Sequence, residues 1–260
     1  MQKELQVALI QSNLAWENPE QNRINFASKI SAILEPVDLI ILPEMFTSGF
    51  TMQPDLVAET MTGDTVSWMQ KLAAIKQAAI TGSVVIKENN TYFNRLLFVF
   101  PDGKIKHYDK KHTFTLAGEH KYYSAGSDIL MVQYLGWKIC PLVCYDLRFP
   151  VWARNTTDYD VLLYVANWPK IRVGAWDALL KARAIENMSY CIGVNRVGLD
   201  ANNYDYSGNS AAYDVLGERI DTITPSKEVT EIVTLKKEHI SKYRAKLGFL
   251  NDRDSFSLKA

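Results

Sequence analysis

Three cysteines in 260 residues, Cys140, Cys144 and Cys191, are too few and odd in number for a disulfide framework, and they point to a reducing compartment. Net charge is missing too. The 29 basic and 29 acidic side chains cancel, and no run gathers Lys and Arg on one helix face, which argues against nucleic acid and anionic membrane as partners. No apolar run approaches the roughly 20 residues that a membrane helix needs, and the opening MQKELQVALIQSN has too short an apolar stretch for a secretory signal. A soluble, cytoplasmic protein is expected. The signatures of several enzyme classes are absent as well: there is no P-loop, no G-x-G-x-x-G after a strand and no G-x-S-x-G elbow, Ser207 in YDYSGNS lying outside that frame. Cys140 and Cys144 have a spacing that suggests a metal. WKICPLVC (residues 137–144) reads as a strand, however, in which four residues span about 13 Å, too far for two ligands of one ion. Neither a metal nor a cofactor is expected.

What the chain does have is apolar content of 47%, enough for a sizeable core, and a rhythm of strands and helices. LQVALIQ (5–11) reads as a buried strand. Asn18 and Pro19 open a helix with Ile24, Ala27, Ile30 and Leu34 on one face, and VDLIILP (37–43) is the next strand, ending at Glu44. A second helix, capped by Asp64, carries Trp68, Leu72, Ile75 and Ala79. Strands at 80–88, 91–100 and 104–110 follow through two hairpin-like turns, which makes the sheet mixed, and 112–126 reads as a loop. The second half repeats the pattern. Strands are expected at 129–134, 137–144 and 159–167, then a short helix near Pro150, a helix over 174–188, strands at 189–198, 207–215 and 228–235, and a charged helix near 236–246. No linker divides the chain, so one domain over 1–260 with a C-terminal extension at about 247–260 is expected, as two packed sheets covered outside by helices. Pro141 inside the strand leading to Cys144 removes a ladder donor and marks a bulge or an unpaired stretch.

Glu44, Lys110 and Cys144 each follow the end of a predicted strand, where α/β proteins bind their ligands. Their chemistry is complementary. A thiol needs a nearby cation or base to become a nucleophile; Lys110 supplies the charge and Glu44 the base, and an ammonium with the Tyr145 N–H suits an oxyanion. LPEMF (42–46), YDKKHTF (108–114) and VCYDLRFP (143–150), in this order, resemble the three signature segments of the nitrilase superfamily of carbon–nitrogen hydrolases. KARAIENMSY (181–190) and NDRDSF extend the resemblance over nearly the whole chain. It implies a four-layer αββα sandwich with two mixed sheets, assembled as a homodimer, with Cys144 as nucleophile, Glu44 as general base and Lys110 as oxyanion-stabilising lysine. Glu119 in TLAGEHKYY would be the acid that orients the lysine, with solvated surface charge as the alternative.

VCYDLRFP with ANWP (166–169) looks most like the omega-amidase branch, whose members hydrolyse the terminal amide of 2-oxoglutaramate or 2-oxosuccinamate. The implied partner is thus a small-molecule amide. Its carboxylate needs a cation, for which Arg148 is the candidate; the competing reading pairs Arg148 with Asp146 to brace the turn. Phe114 and Trp168 would wall the pocket or serve as core aromatics. His112 reads as a structural hydrogen-bond partner, and Cys140 and Cys191 as packing residues. Rival activities are a carbamoyl-amide hydrolase, an aliphatic nitrilase, and a non-catalytic binding protein on the same fold.

Overall fold

The structure is a computed structural model that describes residues 2–258. In chain order its elements are β1 (Glu4–Gln11), α1 (Pro19–Ser31), β2 (Leu39–Ile41), α2 (Pro54–Val57), α3 (Asp64–Lys76), β3 (Ala79–Glu88), β4 (Thr91–Val99) and β5 (Ile105–Asp109). The second half comprises β6 (Val132–Tyr134), β7 (Trp137–Val143), β8 (Val161–Ala166), α4 (Val173–Asn187), β9 (Tyr190–Asn195), β10 (Val197–Leu199), β11 (Asp205–Ser207), β12 (Ala211–Tyr213), β13 (Val229–Lys236) and α5 (Lys237–Leu247). Two sheets dominate, ordered β13-β1-β2-β3-β4-β5 and β12-β9-β8-β7-β6. Both are mixed: β1, β2 and β3 run parallel, as do β7, β8 and β9, while the remaining neighbours are antiparallel.

The period of two along β1 builds the layers. Leu5, Val7 and Leu9 point into a core shared with β7, β8 and β9, whereas Ala8 and Ile10 point the other way, against Phe26 and Ile30 of α1 and Met69 and Ala73 of α3. On the far side α4 lays Trp176, Leu180 and Ala184 on the second sheet. Gly193 of β9 permits that approach, since a Cβ there would fall 2.5 Å from Leu180 and 2.6 Å from Trp176. Helix, sheet, sheet and helix form the expected sandwich.

Several local expectations need correction. The first helix ends at Ser31, and its buried face is Asn22, Phe26 and Ile30; Ile24 and Leu34 are exposed. A polar residue holds the inward position because the Asn22 amide donates to the carbonyls of Ala15 and Thr47, each at 2.7 Å. The second helix is capped by Gly63, with Asp64 inside its first turn, and Glu59 accepts from the Thr65 N–H at 2.7 Å. Thr65, Val66, Met69 and Ala73 are its buried residues; Ile75 is exposed and Ala79 already belongs to β3, because Gln77 turns left-handed and stops the helix. No helix starts at Pro150 among the described residues. A 3₁₀ turn over Cys144–Arg148 comes first, and the 112–126 loop contains two more such turns. Pro141 stays in β7 without a bulge. Pairing with β6 stops at Ile139, so past that point the strand has β8 as its one neighbour.

Candidate active site

Glu44 lies three residues beyond β2, Lys110 directly after β5 and Cys144 directly after β7, so the strand ends of both sheets converge on one place. Cys144 sits in the left-handed region (φ 45°) at the start of the 3₁₀ turn, a conformation that costs a non-glycine residue about 1–2 kcal/mol and needs support from its surroundings. Asp146 provides it. Its buried carboxylate accepts from the Val143 N–H at 3.0 Å, the Tyr108 hydroxyl at 2.8 Å and the His112 N–H at 3.0 Å, and pairs with His112 Nδ1 at 2.8 Å. Tyr108 and His112 flank Lys110 in sequence. One carboxylate thereby ties the lysine's strand end to the nucleophile's turn, and His112, stacked on Phe149 at 3.6 Å, has the structural role expected of it.

Lys110 lies between two carboxylates, and all three groups are at most 1% exposed. Its Nζ donates to Glu44 Oε1 at 2.9 Å and to both oxygens of Glu119 at 3.1 and 2.9 Å. Asn94, fixed by Ser83, bridges the same two acids, donating to Glu44 at 2.8 Å and Glu119 at 3.2 Å. The other Glu44 oxygen accepts from the Asn167 N–H at 2.7 Å, and the Cys144 sulfur lies 4.0 Å from the Asn167 carbonyl. Glu119 is therefore buried beside the lysine, and the surface-charge alternative falls.

The electrostatics follow from burial and pairing. Burial works against the Lys110 charge, but Glu119 and Glu44, then Cys144, reverse that and hold the ammonium above its ordinary range. Burial raises the Glu119 carboxyl against the pull of Lys110, with Glu44 adding to the rise. The Cys144 thiol is also pushed up, first by burial and then by the Glu44 charge, and Lys110 only partly opposes this. Desolvation, invisible in sequence, thus opposes ionisation of the thiol, and Glu44 stands beside it as a proton acceptor.

Above this floor opens a cavity of about 470 Å³ lined by Lys110, Cys144, Tyr145, Phe114, Trp168 and Arg148. The aromatic pair does wall a pocket. Tyr145 packs edge-on against Phe114 at 4.9 Å, and the Arg148 guanidinium lies 4.8 Å from the Trp168 ring centroid. Asp146 has its acceptors filled by other donors and makes no pair with Arg148 among the described residues, so the brace reading is set aside. The sequence reading missed Asn94, which bridges Glu44 and Glu119, Asn167, which joins Glu44 to the Cys144 sulfur, and Arg172 on the cavity wall. Asn167 stood inside the quoted ANWP motif; Asn94 had no signal beyond a polar residue at a buried strand position.

The profile of the carbon–nitrogen hydrolase family matches residues 6–245. The chain belongs to that family. Over 256 residues this carbon–nitrogen hydrolase is 43% identical to the omega-amidase YafV of Yersinia enterocolitica, covering 98% of each chain. The 2-oxoglutaramate amidase of Bacillus subtilis is 33% identical over 216 residues, which is 81% of this chain and 83% of that one. A CN-hydrolase superfamily protein of Xanthomonas campestris, solved with an arsenic adduct in its active site, superposes with a TM-score of 0.96 at 42% identity, over 99% of this chain and 100% of the other. The carbon–nitrogen hydrolase is accordingly an amidohydrolase on a nitrilase-like α/β sandwich.

Proposed function

We propose that this amidohydrolase cleaves the terminal amide of a 2-oxo dicarboxylic acid monoamide, 2-oxoglutaramate or 2-oxosuccinamate, through a thioester on Cys144. The observation that carries the reading is a buried thiol beside a carboxylate and an ammonium, on the floor of a cavity whose wall holds the Arg148 cation. The names of two relatives, an omega-amidase and a 2-oxoglutaramate amidase, support the substrate.

In this mechanism Cys144 attacks the amide carbon while its proton passes to Glu44. The oxyanion of the tetrahedral intermediate is stabilised by Lys110 and the Tyr145 N–H, and Glu119 keeps the lysine in place. Collapse breaks the carbon–nitrogen bond as Glu44 returns the proton to the departing ammonia. A water molecule, deprotonated by Glu44, then opens the thioester to the dicarboxylate and restores the thiol. Arg148 holds the substrate carboxylate as a guanidinium–carboxylate pair, between the walls of Phe114 and Trp168. The reading includes a homodimer in the cytoplasm and a single catalytic domain over 1–260 whose last residues, from about 247, are an extension; sedimentation analysis tests the dimer.

Ammonia release from 2-oxoglutaramate, 2-oxosuccinamate, glutamine, a carbamoyl amino acid and a simple nitrile tests the function. Turnover of the 2-oxo amides well above the rest is expected. Carbon dioxide beside ammonia from the carbamoyl compound, with silence on the 2-oxo amides, would move the chain to another activity within its family.

A further inference from the structure

Two guanidiniums, not one, line the cavity without an ion pair among the described residues. Elsewhere buried arginines are satisfied in two ways: Arg95 reaches Asp109 at 2.7 Å and Glu88 at 2.9 Å and Arg183 reaches Glu186 at 2.9 Å, while Arg196, with no ion pair among the described residues, donates to the Val197 and Leu199 carbonyls and to Asn13. Arg148 and Arg172 form no ion pair among the described residues, yet both line the cavity that holds Cys144. Arg172 is half-buried, with its guanidinium 5.3 Å from the Phe114 ring centroid. That platform is anchored to the floor, since the Phe114 N–H donates to Glu119. The second platform, Trp168, donates its indole N–H to the Arg172 carbonyl at 2.8 Å while its ring carries Arg148. Both cations are thereby presented by aromatic faces tied into one structure.

The acid side of the cavity is already engaged. Asp200, the one acidic residue on its wall among the described residues, accepts from the Tyr206 hydroxyl at 2.9 Å, the Asn202 N–H at 2.8 Å and the Tyr204 N–H at 3.0 Å. Among the described residues the cavity wall carries two guanidiniums without an ion pair and one carboxylate, which three neutral donors hold in place. A 2-oxo acid end, with a carboxylate beside a carbonyl oxygen, presents acceptors alone and suits that wall. A 2-amino acid end brings an ammonium that meets two positive charges, and the single carboxylate on the wall already has three donors around it.

We infer that Arg172 is the second arm of a two-guanidinium site for the 2-oxo acid end of the substrate, and that it selects 2-oxo over 2-amino acid amides. This rests on the function proposed above. Arg148 takes the carboxylate, and Arg172 takes the 2-oxo oxygen together with the remaining carboxylate edge.

The test uses full-length wild type, Arg172→Gln and Arg172→Lys, with 2-oxoglutaramate, glutaramate (which lacks the oxo group) and glutamine as substrates. It also measures how 2-oxoglutarate and glutarate protect Cys144 from iodoacetamide, a readout that needs no turnover. Arg172→Gln is expected to raise KM for 2-oxoglutaramate about tenfold, the worth of one charged hydrogen-bond pair, with kcat changed far less. Its preference for 2-oxoglutaramate over glutamine shrinks by a similar factor, protection by 2-oxoglutarate weakens more than protection by glutarate, and Arg172→Lys recovers part of each effect. Unchanged KM, preference and protection in Arg172→Gln would overturn the inference, as would equal protection by the two diacids in wild type. Wild type that fails to cleave 2-oxoglutaramate, yet is protected by 2-oxoglutarate through Arg172, would sink the proposed substrate and uphold the anion site.

Discussion

Around Lys110 every charge is answered at hydrogen-bond distance, whereas Arg148 and Arg172, on the same cavity, form no ion pair among the described residues. The difference follows from solvent. An ion removed from water costs several kcal/mol unless partners compensate it, so the floor is closed on itself: ammonium, two carboxylates, two asparagines and a thiol. Cations nearer the opening keep their hydration and remain available. Two asymmetric regions of one cavity thus divide the work, the floor for bond chemistry and the wall for recognising the substrate's far end.

The sharpest way to break this division is at the floor. Cys144→Ala is expected to reduce ammonia release by roughly 10⁴-fold or more while circular dichroism stays native, the scale seen when a nucleophile is removed from a covalent mechanism. Lys110→Met leaves two buried carboxylates without their cation and is expected to cost about 3–5 kcal/mol in denaturant unfolding as well as most of the activity. Asp146→Ala removes the anchor of the Cys144 turn and strands its donors; a loss of about 1–3 kcal/mol is expected, with kcat falling more than KM rises. Substitution at the wall acts differently. Arg148→Ala should leave stability within about 0.5 kcal/mol and raise KM for an anionic amide about tenfold, with neutral amides unaffected. An equal loss of stability at wall and floor would erase the comparison.

The mildest contrast is in pH. Burial raises the Cys144 thiol, so its alkylation should keep accelerating as pH rises beyond the ordinary thiol value instead of levelling off near neutrality. Cys140 is pushed up to about 12 by burial. A folded pKa above the unfolded one means that this contribution to stability is complete below the ordinary thiol range and is lost as pH rises toward 12. Unfolding curves across that window, with Cys140→Ala losing less than wild type, check the sign.

Much of the floor was legible before any coordinates, because Glu44, Lys110 and Cys144 lie at strand ends within ordered motifs, and strand ends are fixed by backbone pairing. Helix faces were less legible. Ile24 and Leu34 satisfied a helical spacing, yet the chain buried Asn22 instead, since its side chain satisfies loop carbonyls that no periodicity records. Arg172 and Asn94 escaped for a related reason: each acquires its meaning from residues far away in sequence, Phe114 for one, Glu44 and Glu119 for the other. The upward push on the Cys144 thiol was not legible, because charge neighbours follow from motifs while desolvation requires the packed site.

The most direct test of the account is to quench the protein during turnover of 2-oxoglutaramate and locate the acyl group by peptide mass spectrometry. The account predicts a hydroxylamine-sensitive acyl adduct on the peptide at Cys144, absent from Cys144→Ala. Steady ammonia release with no adduct there, or with an adduct on Cys140 or Cys191, would contradict it.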